Sequence, residues 1–376
     1  MKILILSGNM GGGHNTAAKA IMQKAEEKGH TAVMIDTLMF LSPATSNMLS
    51  KIYSQTAIHS PKLLGVGSLI ADKTTEMDIK TGSYSVLYEI MKHPAKWIYS
   101  FIKDNAFDVV IATHIFAGQA LSYIKHEYMP KLKTGIVITD YAMLQFLSDT
   151  ALDAYFAPHK YLVPIYEEAV PGRKVLPTGI PVAKKFAQKT EKSKAREILG
   201  LPEKGGLVLI MCGSFGFGNV GSVIKSLMAT LSEDCHIVVL CGRNQKLITK
   251  LGNEYGESGR VIPLAFTDKV DVYMDACDVL ITKPGGLSVT EAAVKEIPLI
   301  LSKPIPGWEE NNVLFFSILG MSDTSSKPKD IALLANELIT NKDRAAEMIE
   351  KQREHINKNA ADDILKFFEE NSEKIW

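Results

Sequence analysis

Short apolar runs alternate with longer amphipathic stretches along most of the chain. In the first half, the runs Lys2–Ser7, Ala32–Thr37, Asp108–Thr113, Thr134–Thr139, Ala154–Ala157 and Lys174–Leu176 predict strands. In the second half, Leu207–Cys212, His236–Cys241, Val261–Ala265, Val279–Thr282 and Leu299–Ser302 do the same. Helical periodicity fills the intervals, as at Asn15–Lys28, Val220–Leu231 and Ser288–Lys295. Alternation of this kind predicts an α/β fold, with parallel sheets covered by helices on both faces.

The pattern restarts midway. Residues Pro181 to Gly206 have little strand character, and Leu207–Cys212 then runs into a glycine loop as Ile3–Ser7 did. The reading is two doubly wound, Rossmann-like domains joined by a linker near residues 181–190, with boundaries at 1–185 and 186–345. Ligands of such sheets bind beyond the carboxyl ends of the strands, so two facing domains are expected to form a cleft. Arg344 to Phe368 is helical in pattern, and residues 346–376 are expected to pack back on the first domain. Leu41 to Phe107 breaks the rhythm, reading as helices without strands. Within it, Trp97, Tyr99 and Phe101 lie beside Lys92, Lys96 and Lys103. That composition suits a helix in a membrane interface. An ordinary packed helix fits as well, and Pro94 is expected to interrupt any long amphipathic face.

A chain of 376 residues is long enough for two cores. Its formal net charge of +0 gives no global basic excess to hold nucleic acid. The cysteines Cys212, Cys235, Cys241 and Cys277 lie in or beside apolar runs with no C-x-x-C pair, and read as buried thiols in a reducing compartment. No apolar run reaches the length of a membrane span, and Met1-Lys2 opens directly onto a strand rather than a signal peptide. The expected location is the cytoplasm.

Three glycine loops follow strands. In Lys283-Pro284-Gly285-Gly286-Leu287-Ser288-Val289-Thr290-Glu291, paired glycines allow close approach of a ligand, and a helix starting near Ser288 offers unpaired N–H groups to phosphate. Glu291 has two readings: a capping box with Ser288, or an acceptor for the vicinal hydroxyls of a ribose. Gly8-Asn9-Met10-Gly11-Gly12-Gly13-His14 is not the G-x-G-x-x-G dinucleotide fingerprint, and Asp36 only faintly echoes the ribose-binding acid of such sites. Its distinctive residue is His14, at a helix start where the dipole favours the neutral imidazole, a base. The third loop, Gly213 to Asn219, reads equally as a plain βα turn or a ligand loop. No Asp-x-Asp pair or metal-ligand spacing of histidines appears, so no metal and no cofactor are expected.

These residues resemble glycosyltransferase family 28, in its monogalactosyldiacylglycerol synthase and processive diacylglycerol glucosyltransferase branch. The resemblance runs from Gly11-Gly12-Gly13-His14 to about Asn312. Its most specific parts are that loop, Thr282–Ala292 and Pro306-Gly307-Trp308-Glu309-Glu310-Asn311. It implies a GT-B fold and an inverting transfer of a hexose from a UDP-sugar to a lipid hydroxyl. By that analogy His14 is the candidate for deprotonating or orienting the acceptor; Asp140 is a second candidate for the base. Gly285, Gly286 and Ser288 meet the diphosphate, Glu291 the ribose and Phe266 the uracil. Gly11, Gly12, Gly13, Gly213, Lys283, Trp308, Glu309 and Asn311 complete the substrate-binding set. The partners implied are a UDP-sugar, a lipid acceptor and the inner face of the cell membrane.

Two departures accompany the likeness. Trp308 stands where the family has a glutamine beside the donor sugar, and an indole offers different hydrogen bonds. After Thr139-Asp140-Tyr141 the family continues with a histidine and a tryptophan, where this chain has Leu144 and Leu147. A UDP-sugar epimerase of the same fold, or a nucleotide-sugar sensor, are the alternative readings.

Overall fold

The apolar runs pair in parallel to form two separate sheets. The computed structural model describes residues 1–9, 12–40, 42, 47–48, 51, 85–211 and 220–371. The Gly213–Asn219 loop, Cys212, Gly11 and most of the segment from Leu41 to Tyr84 therefore lie outside the described residues, as does the side chain of Trp308.

The first sheet holds β1 (Lys2–Ser7), β2 (Thr31–Asp36), β3 (Val109–Ala112), β4 (Lys133–Val137), β5 (Ala154–Phe156) and β6 (Lys174–Leu176). Their order is β2-β1-β3-β4-β5-β6. The second holds β7 (Leu207–Met211), β8 (His236–Leu240), β9 (Val261–Leu264), β10 (Val279–Thr282), β11 (Leu299–Leu301) and β12 (Asp323–Thr324), in the order β12-β11-β10-β7-β8-β9. All pairings are parallel. The strand order reverses between β1 and β3 in one sheet and between β7 and β10 in the other. Such switch points open a crevice at the carboxyl ends of the strands.

Residues 1–184, 305–308 and 357–376 form one compact unit, and 185–304 with 309–356 form the other. In the first unit β1 is buried on both faces. Leu4 and Leu6 enter a core with Ile98, Ile102, Val110 and Leu121, while Ile3 and Ile5 enter another with Ile21, Phe156, Leu365 and Phe368. The two residue sets follow from the alternation of side chains along a strand.

The chain past residue 346 is not wholly part of the first unit. A helix over Lys342–His355 stays in the second unit, the chain turns at Ile356–Asn359, and only Ala360–Asn371 packs on the first sheet. Asn357 Nδ2 donates to the Thr178 carbonyl at 2.8 Å, and Gly179, at φ +87°, makes the close approach to Asn357 and Ala360. A glycine is required there, because other residues enter that region at a cost. Gly135 on β4 leaves the space that Phe156 and Phe368 fill; a Cβ there would stand 2.7 Å from Phe156 and 3.0 Å from Phe368.

In the second unit a buried ion pair, Lys295 to Asp275 at 2.6 Å, closes the carboxyl end of the helix Gly286–Val294. The ammonium also donates to the Gln188 carbonyl at 2.5 Å. A cation there complements the helix dipole. Arg196 ties the Lys192–Leu199 helix to the strand start through Asp278 at 2.9 Å and the carbonyls of Ala276, Glu203 and Gly205. Burial pushes the Asp278 carboxyl up, but the Lys192 ammonium, the Leu207 N–H and the Arg196 guanidinium together hold it below the usual range.

Pro94 does not break its helix. The segment Val86–Asp104 runs straight through it, with Tyr88, Met91, Ala95, Ile98 and Ile102 buried. Proline removes the hydrogen bond to the carbonyl four residues back. That residue is Ile90, 54% exposed, so the lost bond falls on the solvent-facing side of the helix.

Candidate functional site

The switch point of the first sheet is built from the ends of β1, β3 and β4. The helix after β1 begins at Gly13, two residues earlier than the apolar pattern predicts, and Gly12 is its N-cap. His14 thereby falls in the first turn. Its Nδ1 lies 2.8 Å from the Thr113 carbonyl and 3.0 Å from Thr139 Oγ1. A carbonyl only accepts, so Nδ1 carries the proton and Nε2 holds the lone pair. Nε2 makes no hydrogen bond among the described residues. Burial lowers the affinity of His14 for a second proton, while the Asp140 carboxylate and the Thr113 hydrogen bond partly offset that. The arrangement favours a neutral imidazole with its lone pair on Nε2.

His114 packs against it, with ring centroids 4.6 Å apart and planes at 82°. Its Nδ1 accepts the Phe116 N–H at 3.2 Å, capping the helix Ile115–Glu127. Burial, and His14 secondarily, hold its pKa well below the ordinary histidine value. Asp140 lies at the end of the β4 segment, half-buried. Its charge acts on both His14 and Tyr166.

The second switch point carries the Pro-Gly-Gly loop. The helix starts at Gly286 with Gly285 as N-cap, so Ser288 sits inside the first turn. The expected capping box is therefore absent: Ser288 is not the N-cap, and the Glu291 carboxylate makes no hydrogen bond among the described residues. Glu291 is buried but not enclosed by partners. Burial pushes its carboxyl up to about 8; the Lys185 ammonium works against that shift and the Asp271 carboxylate adds to it. Lys185 pairs with Asp271 at 3.0 Å.

Beside the loop, Lys283 Nζ lies 2.7 Å from Glu309 Oε1. A Cβ on Gly285 would approach nothing closer than this pair, at 3.9 and 4.0 Å, which leaves room for a ligand against the loop backbone. Asn312 Nδ2 donates to the Pro284 carbonyl at 2.9 Å and fixes the loop's path. Asn311 is exposed and Asn312 fully buried. The sequence reading missed Asn312, although helical spacing from Glu309 through Asn312 to Phe316 marks one buried stripe of the Trp308–Ile318 helix. Phe266 follows β9, beyond that strand's carboxyl end, and is 72% exposed. Gly12 and Gly13 are placed as described; Gly11 and Gly213 are not among the described residues.

The family model for "Monogalactosyldiacylglycerol (MGDG) synthase" matches residues 14–182. The model for "Glycosyltransferase family 28 C-terminal domain" matches residues 207–364. The chain is 27% identical over 99% of its length to a processive diacylglycerol beta-glucosyltransferase of Bacillus licheniformis, covering 96% of that protein. It is 25% identical over 94% of its length to one of Staphylococcus epidermidis, covering 88% of it. Among solved structures, Acinetobacter baumannii MurG superposes with a TM-score of 0.64 at 15% identity, over 98% of this chain and 99% of that one. A UDP-GlcNAc 2-epimerase from Neisseria meningitidis gives the same score and identity over 99% and 100%. At such identities these structures speak for the fold alone, the two-domain GT-B architecture of glycosyltransferases.

Proposed function

The chain belongs to glycosyltransferase family 28, in its monogalactosyldiacylglycerol synthase branch, and on that premise we propose that it moves a hexose from a UDP-sugar to a diacylglycerol hydroxyl with inversion at the anomeric carbon. It is a glycosyltransferase of glycolipid synthesis with a diacylglycerol acceptor. The observation that carries the mechanism is His14, tied through Nδ1 so that Nε2 is the base.

In this reading Nε2 takes the acceptor's proton as its oxygen attacks the anomeric carbon. The bond from that carbon to the diphosphate breaks on the opposite face, and UDP leaves with the electron pair. Asp140 favours the imidazolium that forms. The N-terminus of the helix at Gly286, with Gly285, Ser288 and Lys283, takes up the charge of the departing diphosphate. A helix terminus alone contributes only about 0.3–1 kcal/mol at an exposed site. The lysine and several backbone N–H groups therefore act together. Glu291 receives the ribose hydroxyls, Phe266 stacks on the uracil, and Glu309, Trp308 and Asn311 lie on the donor side. This binding needs no metal or cofactor.

The acceptor is met at a membrane surface, on the inner face of the cell membrane. Supporting this, the Val86–Asp104 helix exposes Val86, Ile90 and Trp97 on one face, the last at 61%, flanked by Lys92, Lys96 and Lys103. No helix among the described residues is long and apolar enough to cross a bilayer. The epimerase and sensor readings are not favoured by relatives that are named as transferases.

The test is turnover of UDP-glucose and UDP-galactose with diacylglycerol in mixed micelles, with His14→Ala as the control. A β-linked glycolipid lost by at least about 100-fold in the variant is expected. Absence of transfer to any lipid acceptor defeats the proposal.

A further inference from the structure

The reading of His14 as a base leaves His114 unused, though its ring packs edge-on against His14. Three contacts fix it. Its Nδ1 accepts the Phe116 N–H at 3.2 Å. The Phe116 ring lies edge-on to it, with centroids 4.6 Å apart. Gly8 presses on the remaining side: a Cβ there would stand 2.7 Å from His114 Cγ and 2.8 Å from Cδ2. Only a glycine leaves room for the ring, which explains Gly8 without any ligand.

The hydrogen bond also fixes the tautomer. An Nδ1 that accepts is unprotonated, so the neutral His114 carries its proton on Nε2. Burial opposes a second proton, which would also remove the helix cap and stand beside the imidazolium that His14 becomes on taking a proton. His114 therefore stays a neutral, aromatic block through the working pH range.

Resting on the reading of His14 as the base, we propose that His114 is a positioning residue: a ring wedged between Gly8, Phe116 and His14 that stops the His14 imidazole from flipping and keeps water off it. Flipping exchanges Nδ1 with Cδ2 and Nε2 with Cε1, which would turn a carbon toward the acceptor. The two hydrogen bonds of His14 resist this on one edge, and the His114 ring closes the other direction at 82°. The charged and titratable groups acting on His14 are the Asp140 carboxylate and His114 itself. With the ring gone, water reaches His14 and its affinity for a proton rises, since desolvation is the largest cause holding it down.

Two substitutions separate the ring from the cap. His114→Asn keeps a side-chain acceptor for Phe116 N–H and removes the ring. His114→Phe keeps a ring and removes the cap. The imidazole of His14 is followed by 15N-edited NMR titration on the full-length protein, and kcat, KM and melting temperature are measured alongside. His114→Asn is expected to raise the His14 pKa, to mix its tautomers, and to lower kcat by about 10- to 100-fold with KM little changed. His114→Phe is expected to lower the melting temperature yet recover most of kcat and the Nδ1-protonated signature. Gly8→Ala, which displaces the ring while leaving both histidines in the sequence, should copy His114→Asn. If kcat instead follows melting temperature across all three and the His14 titration is unmoved, His114 is only a helix cap and the proposal fails. If the titration moves as expected while turnover is unaffected, the wedge stands and the assignment of His14 as base is what fails.

Discussion

Glu291 shows how a single side chain links donor binding to protons. Its carboxyl, ordinarily near 4.5, is pushed up to about 8 by burial. Burial therefore favours a neutral carboxylic acid at neutral pH. Between the two values the native state binds a proton that the unfolded chain has released. Stability from this group is full below about 4.5 and is lost as pH rises toward 8. A vicinal diol is best met by a carboxylate that accepts from both hydroxyls, so UDP binding should expel the proton. Calorimetry of UDP binding at pH 7 in buffers of differing ionisation enthalpy should show about one proton released, and Glu291→Gln should show none. Equal heats in all buffers for the parent protein would remove the link. His14 has the opposite sign: its lowered pKa contributes stability that is lost as pH falls below its ordinary 6.5.

Among the elements, the Val86–Asp104 helix has an inner face that explains itself and an outer face that does not. Val86, Ile90 and Trp97 recur at helical spacing yet face outward, with lysines along one flank. Replacing Ile90 and Trp97 together with Asp should reduce flotation with anionic vesicles by at least about tenfold while leaving UDP binding unchanged. Undiminished flotation would assign membrane contact elsewhere. Elements of this kind were largely legible in the sequence. Eleven strands announce themselves as apolar runs, because parallel strands buried on both faces carry little polar punctuation. β12, two residues long and wholly polar, carries no such signal. Helix starts were harder to read. Glycines at Gly12 and Gly285 act as N-caps without any side-chain hydrogen bond, so the polar residues that seemed to mark the caps lie inside the first turn. Asn312 was overlooked for a related reason: the motif was read linearly, whereas a helix sorts its residues by face. The pairing of His14 with His114 was also beyond reach, since it joins residues 100 apart through a β1–β3 contact.

At the scale of the whole molecule, the first sheet takes one of its covering layers from the far end of the chain. Ile364, Leu365 and Phe368 complete the core over Ile3, Ile5, Val109 and Ile111. Lys28 reaches Asp362 at 3.2 Å and Glu369 at 2.9 Å along its border. Phe368→Ala should therefore cost about 3–5 kcal/mol, and the cost should fall on one unit. Hydrogen exchange is expected to accelerate in β1 to β5 and to stay unchanged in β7 to β11. A uniform loss of protection across both sheets would contradict this division. The same feature constrains how the protein is made. A ribosome delivers the first sheet long before its last helix, with all of the second unit in between. At about 5–20 residues per second, the interval for those roughly 170 residues is on the order of ten to forty seconds. Through that time Ile3, Ile5 and Phe156 lack the cover of Ile364, Leu365 and Phe368 on the nascent chain, so a holding chaperone is expected to raise the yield of native enzyme.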